Sequence, residues 1–393
     1  MSNISTKTFA LAATAAFATA TPLALAPDLT PVAVAQNNQA VDVSKTGTLT
    51  INKQEGDPGA ATGTVEGTEF TVERVQMTNG LNTAAGWTEA GEIVNAGADA
   101  ATIDTTFAAQ TKATDADGVA AFTDLPVGIY KVTEKTNGNY TVAAPFLVTL
   151  PLTQQDGSLT YTPTVSPKNQ KLDPTKAADD ANANIGDQIT YTIKAPVPAG
   201  DVLQDGSRTI SQFRITDDLQ QELTYVADSA EVTLTGADDT TLDEGDYTIS
   251  NDGQNLTVEF TPAGLQRLET LRADNPGLTV QVVFKAEVNA IPANGQINNT
   301  ANVYVPNRDE PIQSKPETEK DGDQDTNDTT TQYANVEVTK TLNGNPVEDG
   351  KTGDGAEFEI YPCAPEGEGY AVADGAEAIK GTATANSTEP ATT

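Results

Sequence analysis

Short runs in which apolar and polar residues alternate recur along most of the chain: "TLTINK", "EFTVERV", "GIYKVTEK", "FLVTLPL", "QITYTIKAPV", "EVTLTG", "NLTVEF", "LTVQVVFKAEV" and "ANVYVP". A period of two places every second side chain on one face of an extended strand. Thr, Val, Tyr and Phe supply the strands, and Asp-Gly, Asn-Gly and Pro interrupt them with turns. Only "AGLQRLETLRADNPG" carries a helical period, and "LNTAAGWTEAGEIVNAGADAATIDTT" reads as a surface loop. Many half-buried strands with so little helix must bury their apolar faces sheet against sheet. The predicted fold class is all-β, as tandem immunoglobulin-like sandwiches.

An internal repeat divides the chain. "LTINK" precedes "GTEFTVERV" near the start, and "VEVTK" precedes "GAEFEIYPC" near the end; Gly67 follows Lys53 by 14 positions and Gly355 follows Lys340 by 15. Two copies of one module therefore flank a different middle segment. The expected boundaries are 1–35 for an export signal, 45–169 for the first module and 170–318 for the middle domain. An acidic linker over 319–332 and a third module over 333–393, cut short within its fold, complete the division. The signal rests on Lys7, the apolar run "FALAATAAFATATPLALA" and the small-x-small triplet Ala33-Val34-Ala35, with cleavage after Ala35. No later run is apolar enough to span a membrane, so the mature chain is expected to have no membrane span.

Composition excludes whole classes of function. The chain has 22 Lys and Arg against 56 Asp and Glu, a net charge of -34, so nucleic acid is not an expected partner. It has no His and one Cys, so neither a Ser-His-Asp triad nor an ordinary zinc centre can be assembled. No cofactor is expected. Asp321, Asp323, Asp325 and Asn327 alternate as in a calcium loop, but Thr326 replaces the turn glycine and Gln332 the closing glutamate, which favours a solvated linker.

Strand parity turns several charged residues inward. Leu49, Ile51 and Lys53 share a face, as do Val336, Val338 and Lys340, and Tyr130, Val132 and Glu134. At "YTPTVSPKNQK", counting back from Asn169 gives Pro167, Val165, Pro163 and Tyr161, whereas Lys168 aligns with Ser166, Thr164 and Thr162. Asn169 is thus expected to face a core and Lys168 to face water. A buried Lys is pushed toward its neutral, nucleophilic form, and a buried carboxyl toward its protonated form. Lys53 attacking the Asn169 amide, with Glu134 shuttling protons, would release ammonia and leave an isopeptide bond. The middle domain offers a second set, Lys176 with Asn299 and an assisting Asp217; Lys171 is the alternative nucleophile. A strand-end lysine that snorkels to solvent is the competing reading of any one of these residues.

These motifs, in this order, resemble the major shaft pilins of Gram-positive bacteria, particularly the corynebacterial SpaA type. "VSPKNQ" is similar to the end of the family's pilin motif WxxxVxVYPK, with Leu159 in place of Trp, Pro163 in place of the first Val and Ser166 in place of Tyr. "YKVTE" resembles the E-box YxLxET, keeping Tyr130 and Glu134. The resemblance implies CnaB-like outer modules and a CnaA-like middle domain with "NTA" at Asn299. It implies that a class C sortase joins a neighbouring subunit to Lys168. It also implies a disulfide in the last domain that would involve Cys363, against which stands a free, partly buried Cys. The family's LPxTG signal is not found in this sequence, and the partner of Lys340 would lie beyond Thr393.

The expected function is therefore structural: a repeating shaft subunit of a cell-surface fimbrium, secreted and held to the cell wall, not an enzyme. Its partners would be neighbouring pilin subunits, the sortase, minor pilins and the host surface. The alternative is a wall-anchored adhesin or minor pilin that binds host matrix. Lys168 separates the two readings, because a monomeric adhesin needs no acceptor lysine.

Overall fold

The structure is a computed structural model that describes residues 41–317, except 155, 181–182, 203–206 and 238–239, together with 330–333 and short stretches between 341 and 384. The export signal, the calcium-like positions 321–328 and Lys340 lie outside the described residues. Among the described residues strands far outnumber helices, as the alternation predicts, and they form two successive sandwiches.

In the first, the opening strand Thr46–Asn52 lies between Val119–Pro126, antiparallel, and Thr164–Val165, parallel. The same edge continues as Gln54–Asp57 beside Lys168–Asn169, again parallel, with Lys168 opposite Gln54 and Asn169 opposite Glu55. The first and last strands of this unit are thus neighbours. The facing sheet has the order Gln110–Ala113, Glu69–Arg74, Gly128–Glu134, Phe146–Leu150. Leu49, Ile51, Phe70, Val72, Phe122, Tyr130, Val132 and Phe146 fill the space between them.

Strand Phe146–Leu150 is buried at every position. Its inner residues Phe146, Val148 and Leu150 join the sandwich core, and Leu147 packs outward with Ile129 against Ala90 and Val94. Those two belong to a helix, Ala84–Ala96, in the stretch expected to be a loop. The helix escapes a periodicity search because its buried positions are Gly86, Ala90 and Val94, too small to make an apolar stripe. Thr83 caps it, accepting from the Gly86 amide at 3.0 Å. The other helix, Pro262–Asp274, falls where the sequence predicts and has the same device, Thr261 accepting from the Gly264 amide at 3.2 Å.

In the second sandwich the central strand Thr279–Val288 pairs with Gln188–Pro196 on one side and with Leu223–Tyr225 and Glu231–Thr235 on the other. Beyond Gln188–Pro196 come Thr175–Asp179 and then Lys315–Pro316, which runs parallel to it. The opposing sheet has the order Tyr247–Asn251, Asn255–Phe260, Arg214–Asp218, Ala301–Tyr304, Ile312–Gln313. Val280, Val282, Phe284, Ala286 and Val288 all point into the core from one strand. Full burial of a Val or Phe side chain contributes about 1.5–3 kcal/mol, so this strand anchors the unit. Residues Thr330–Gln332, assigned from sequence to the acidic linker, instead form a strand against Gln296–Asn298.

The two units are clasped together. The Arg272 guanidinium makes a bidentate pair with Asp57 at 2.9 and 3.0 Å, and its Nε donates to the Val197 carbonyl at 2.8 Å. Asn307 donates to the Val142 carbonyl at 3.1 Å, and the Ala199 amide donates to Gln170 at 3.0 Å.

Candidate functional site

Lys53, Glu134 and Asn169 meet inside the first sandwich. Lys53 extends the inward face of the opening strand and is 0% exposed; Asn169 enters from the adjacent closing strand and is 1% exposed. Glu134 comes from the facing sheet at the end of "GIYKVTE". The Lys53 ammonium lies 2.9 Å from Glu134 Oε2, and the Asn169 amide nitrogen donates to Glu134 Oε1 and to the Thr141 carbonyl. The Phe70 ring stands 5.9 Å from Lys53 Nζ. Burial pulls the Lys53 amine below its ordinary pKa and pushes the Glu134 carboxyl above its own, each partly offset by the other's charge. Both shifts favour passing the lysine proton to the carboxyl.

Lys176, Asp217 and Asn299 meet in the second sandwich, across its two sheets. Lys176 lies on Thr175–Asp179 in one sheet, Asp217 on Arg214–Asp218 in the other, and Asn299 just before Ala301–Tyr304, which pairs with Asp217's strand. Each is at most 1% exposed. Lys176 Nζ is hydrogen bonded to Asp217 Oδ2, and it stands 4.6 Å from the Tyr191 ring and 5.5 Å from the Phe284 ring. Burial pushes the Lys176 amine down to about 8 and the Asp217 carboxyl up. Asp218 faces outward, as parity requires. Lys171, the alternative nucleophile, is exposed and pairs with Asp173 at 3.6 Å.

Lys168 does not stand fully in water, as parity alone implied. It is half-buried on the outer face of Lys168–Asn169, in a cleft between the sandwiches lined also by Pro58, Thr141, Pro198, Asp201 and Pro306. Docking of the second sandwich covers part of the surface that strand alternation leaves open. This partial burial draws its amine pKa down. Cys363 is a free, exposed thiol rather than a partly buried one.

A curated protein, the fimbrial subunit type 2 of Actinomyces naeslundii, is 32% identical over 391 residues, covering 87% of this chain and 70% of that protein. This chain belongs to the Gram-positive pilin subunits. The family profile "Gram-positive pilin subunit D1, N-terminal domain" matches residues 32–170 of the pilin, and the "Sgo0707 N2 domain" profile matches residues 169–318. Two solved structures share its fold. The full-length major pilin SpaD of Corynebacterium diphtheriae has a TM-score of 0.59 at 24% identity, covering 88% of this pilin and 83% of that chain. The major pilin SpaA of the same organism has a TM-score of 0.60 at 24% identity, covering 85% and 79%. Relatives of this kind are structural subunits of a cell-surface fimbrium, not enzymes, and associate with further pilin subunits. Among the described residues, no helix of the pilin is long and apolar enough to cross a membrane.

Proposed function

We propose that this pilin is the repeating shaft subunit of a covalent fimbrium, joined to its neighbour through Lys168 by a class C sortase. Within the subunit, bonds form between Lys53 and Asn169 with Glu134 assisting, and between Lys176 and Asn299 with Asp217 assisting. Lys340 opens an equivalent site in the third module. The observation that carries this reading is the contrast between two adjacent residues. Asn169 is buried against Glu134, while Lys168 occupies a cleft that opens between the sandwiches.

The internal chemistry needs no cofactor. A neutral lysine amine adds to the asparagine Cγ, the carboxyl carries its proton to the amide nitrogen, and ammonia leaves. In the first sandwich the departing nitrogen is the atom held by Glu134 and the Thr141 carbonyl. Lys168 stands outside that chemistry, on the opposite face of the same strand, where a thioacyl-enzyme could deliver a neighbour's carboxyl carbon to its amine.

The test uses the full-length gene on a Gram-positive host with its cognate sortase, as wild type and as Lys168→Ala. Boiled cell-wall extracts of the wild type should give a high-mass ladder on a denaturing gel, absent from the variant. A single band in both would favour the adhesin reading and return Lys168 to an ordinary surface role.

A further inference from the structure

The second sandwich buries an unusual group of polar atoms around Asn299. Both amide atoms of Asn299, Oδ1 of Asp217, the Tyr191 hydroxyl and the Thr331 hydroxyl are all buried, and they face one another: Tyr191 lies against Thr331 and Asn299, and Asp217 against Asn299. Leaving a buried donor or acceptor unsatisfied costs about 1–3 kcal/mol, so groups buried together in this way must serve as one another's partners. Tyr191 and Lys176 lie on one face of adjacent strands, since Ala178 is the residue opposite Tyr191. Thr331 lies opposite Ile297, and Asn299 continues that inward face two residues on. The Tyr191 hydroxyl sits beside the Thr331 and Asn299 side chains and within reach of the Asp217 charge.

We propose that Tyr191 is a further catalytic residue of the Lys176–Asn299 reaction, its hydroxyl donating to the Asn299 oxygen as charge develops there, with Thr331 as a positioning residue that orients that hydroxyl. The inference rests on the isopeptide reading of this site. When the neutral Lys176 amine adds to Cγ, the C–N bond forms and the electron pair of the carbonyl moves onto Oδ1. A donor placed there stabilises the tetrahedral intermediate without giving up its proton. The Lys176 proton passes through Asp217 to Nδ2, the C–Nδ2 bond breaks, and ammonia departs as the carbonyl re-forms. Burial keeps the Tyr191 phenol protonated, as a donor must be. Thr331 arrives from beyond residues 318–329, so bond closure in this sandwich would await the returning strand.

The experiment follows the full chain after arrested cell-free synthesis, measuring by peptide mass spectrometry the cross-linked Lys176–Asn299 peptide with time. Tyr191→Phe should slow its appearance about a hundredfold, the cost of one lost oxyanion donor. Thr331→Val should slow it as well, and Thr331→Ser should restore the wild-type rate. Wild-type bonding matched by Tyr191→Phe would overturn the proposal. If Tyr191→Phe does not fold, equal rates for the Val and Ser variants at 331 would overturn it instead. A wild type that never loses ammonia at this pair is a distinct result: it overturns the isopeptide reading, and this inference with it.

Discussion

At the scale of the residue, the two buried lysines, Lys53 and Lys176, carry a desolvation cost. An ammonium taken from water loses its solvation, and the nearby carboxylate returns only part of it. The Lys176 amine, held down to about 8 from its ordinary 10.5, makes this measurable when the bond is prevented. In an Asn299→Ala variant the unfolded chain binds the Lys176 proton up to about pH 10.5, whereas the folded chain releases it near 8. At this group the unfolded state therefore holds more protons in that window, and the contribution of Lys176 to stability rises with pH across it, by about 3 kcal/mol at most. Urea unfolding of the variant at pH 7.5 and 10 should show a higher midpoint at the higher pH, and a falling midpoint would mean that Lys176 stays charged. The inward placement of Lys53, Glu134, Asp217 and Asn169 was legible in the sequence, because strand parity needs no tertiary information, whereas the poorly marked strand of Lys176 left Lys171 as an alternative. The half-burial of Lys168 was not legible, because a second domain supplies the rest of its cleft.

At the scale of the element, strands were legible and the first helix was not. Alternation in "LTVQVVFKAEV" or "QITYTIKAPV" reports a sheet with one buried face, and both runs form such strands. Helix Ala84–Ala96 instead packs closely through its smallest residues. A Cβ on Gly86 would stand 2.0 Å from the Gly80 carbonyl oxygen, and one on Gly264 would stand 1.9 Å from that of Asp246. Replacing Gly by Ala in an exposed helix interior gains about 1 kcal/mol, but here the clash with backbone reverses the sign. Gly86→Ala and Gly264→Ala should both lower the thermal midpoint, and Thr83→Ala should cost about 1 kcal/mol by removing the cap. A raised midpoint in Gly86→Ala would show that the helix start can shift without loss.

At the scale of the whole molecule, the proposed linkage sets the path of a pulling force. A neighbour attached at Lys168 pulls on the chain where the first sandwich ends, so tension runs onward through the second sandwich and leaves the first unloaded. The Lys176–Asn299 bond would shield the chain between those residues. Single polymers pulled by force spectroscopy should lengthen in Asn299→Ala by roughly 400 Å of extra contour per subunit, from the extended length of the released segment. Lys53→Met should add none, although it should make the first sandwich easier to digest with protease. Extra contour in Lys53→Met would place the first sandwich in the load path and contradict attachment at Lys168. The Arg272–Asp57 clasp, which holds the sandwiches together, joins residues 215 positions apart, and nothing in either local sequence marks them as partners.

The central claim is that the buried lysines are reactants rather than structural charges. Peptide mass spectrometry of the mature chain, digested after denaturation, tests it directly. The account predicts two cross-linked peptides, Lys53 to Asn169 and Lys176 to Asn299, each lighter by one ammonia than its separate parts. Four unlinked peptides with both asparagine amides intact would contradict it.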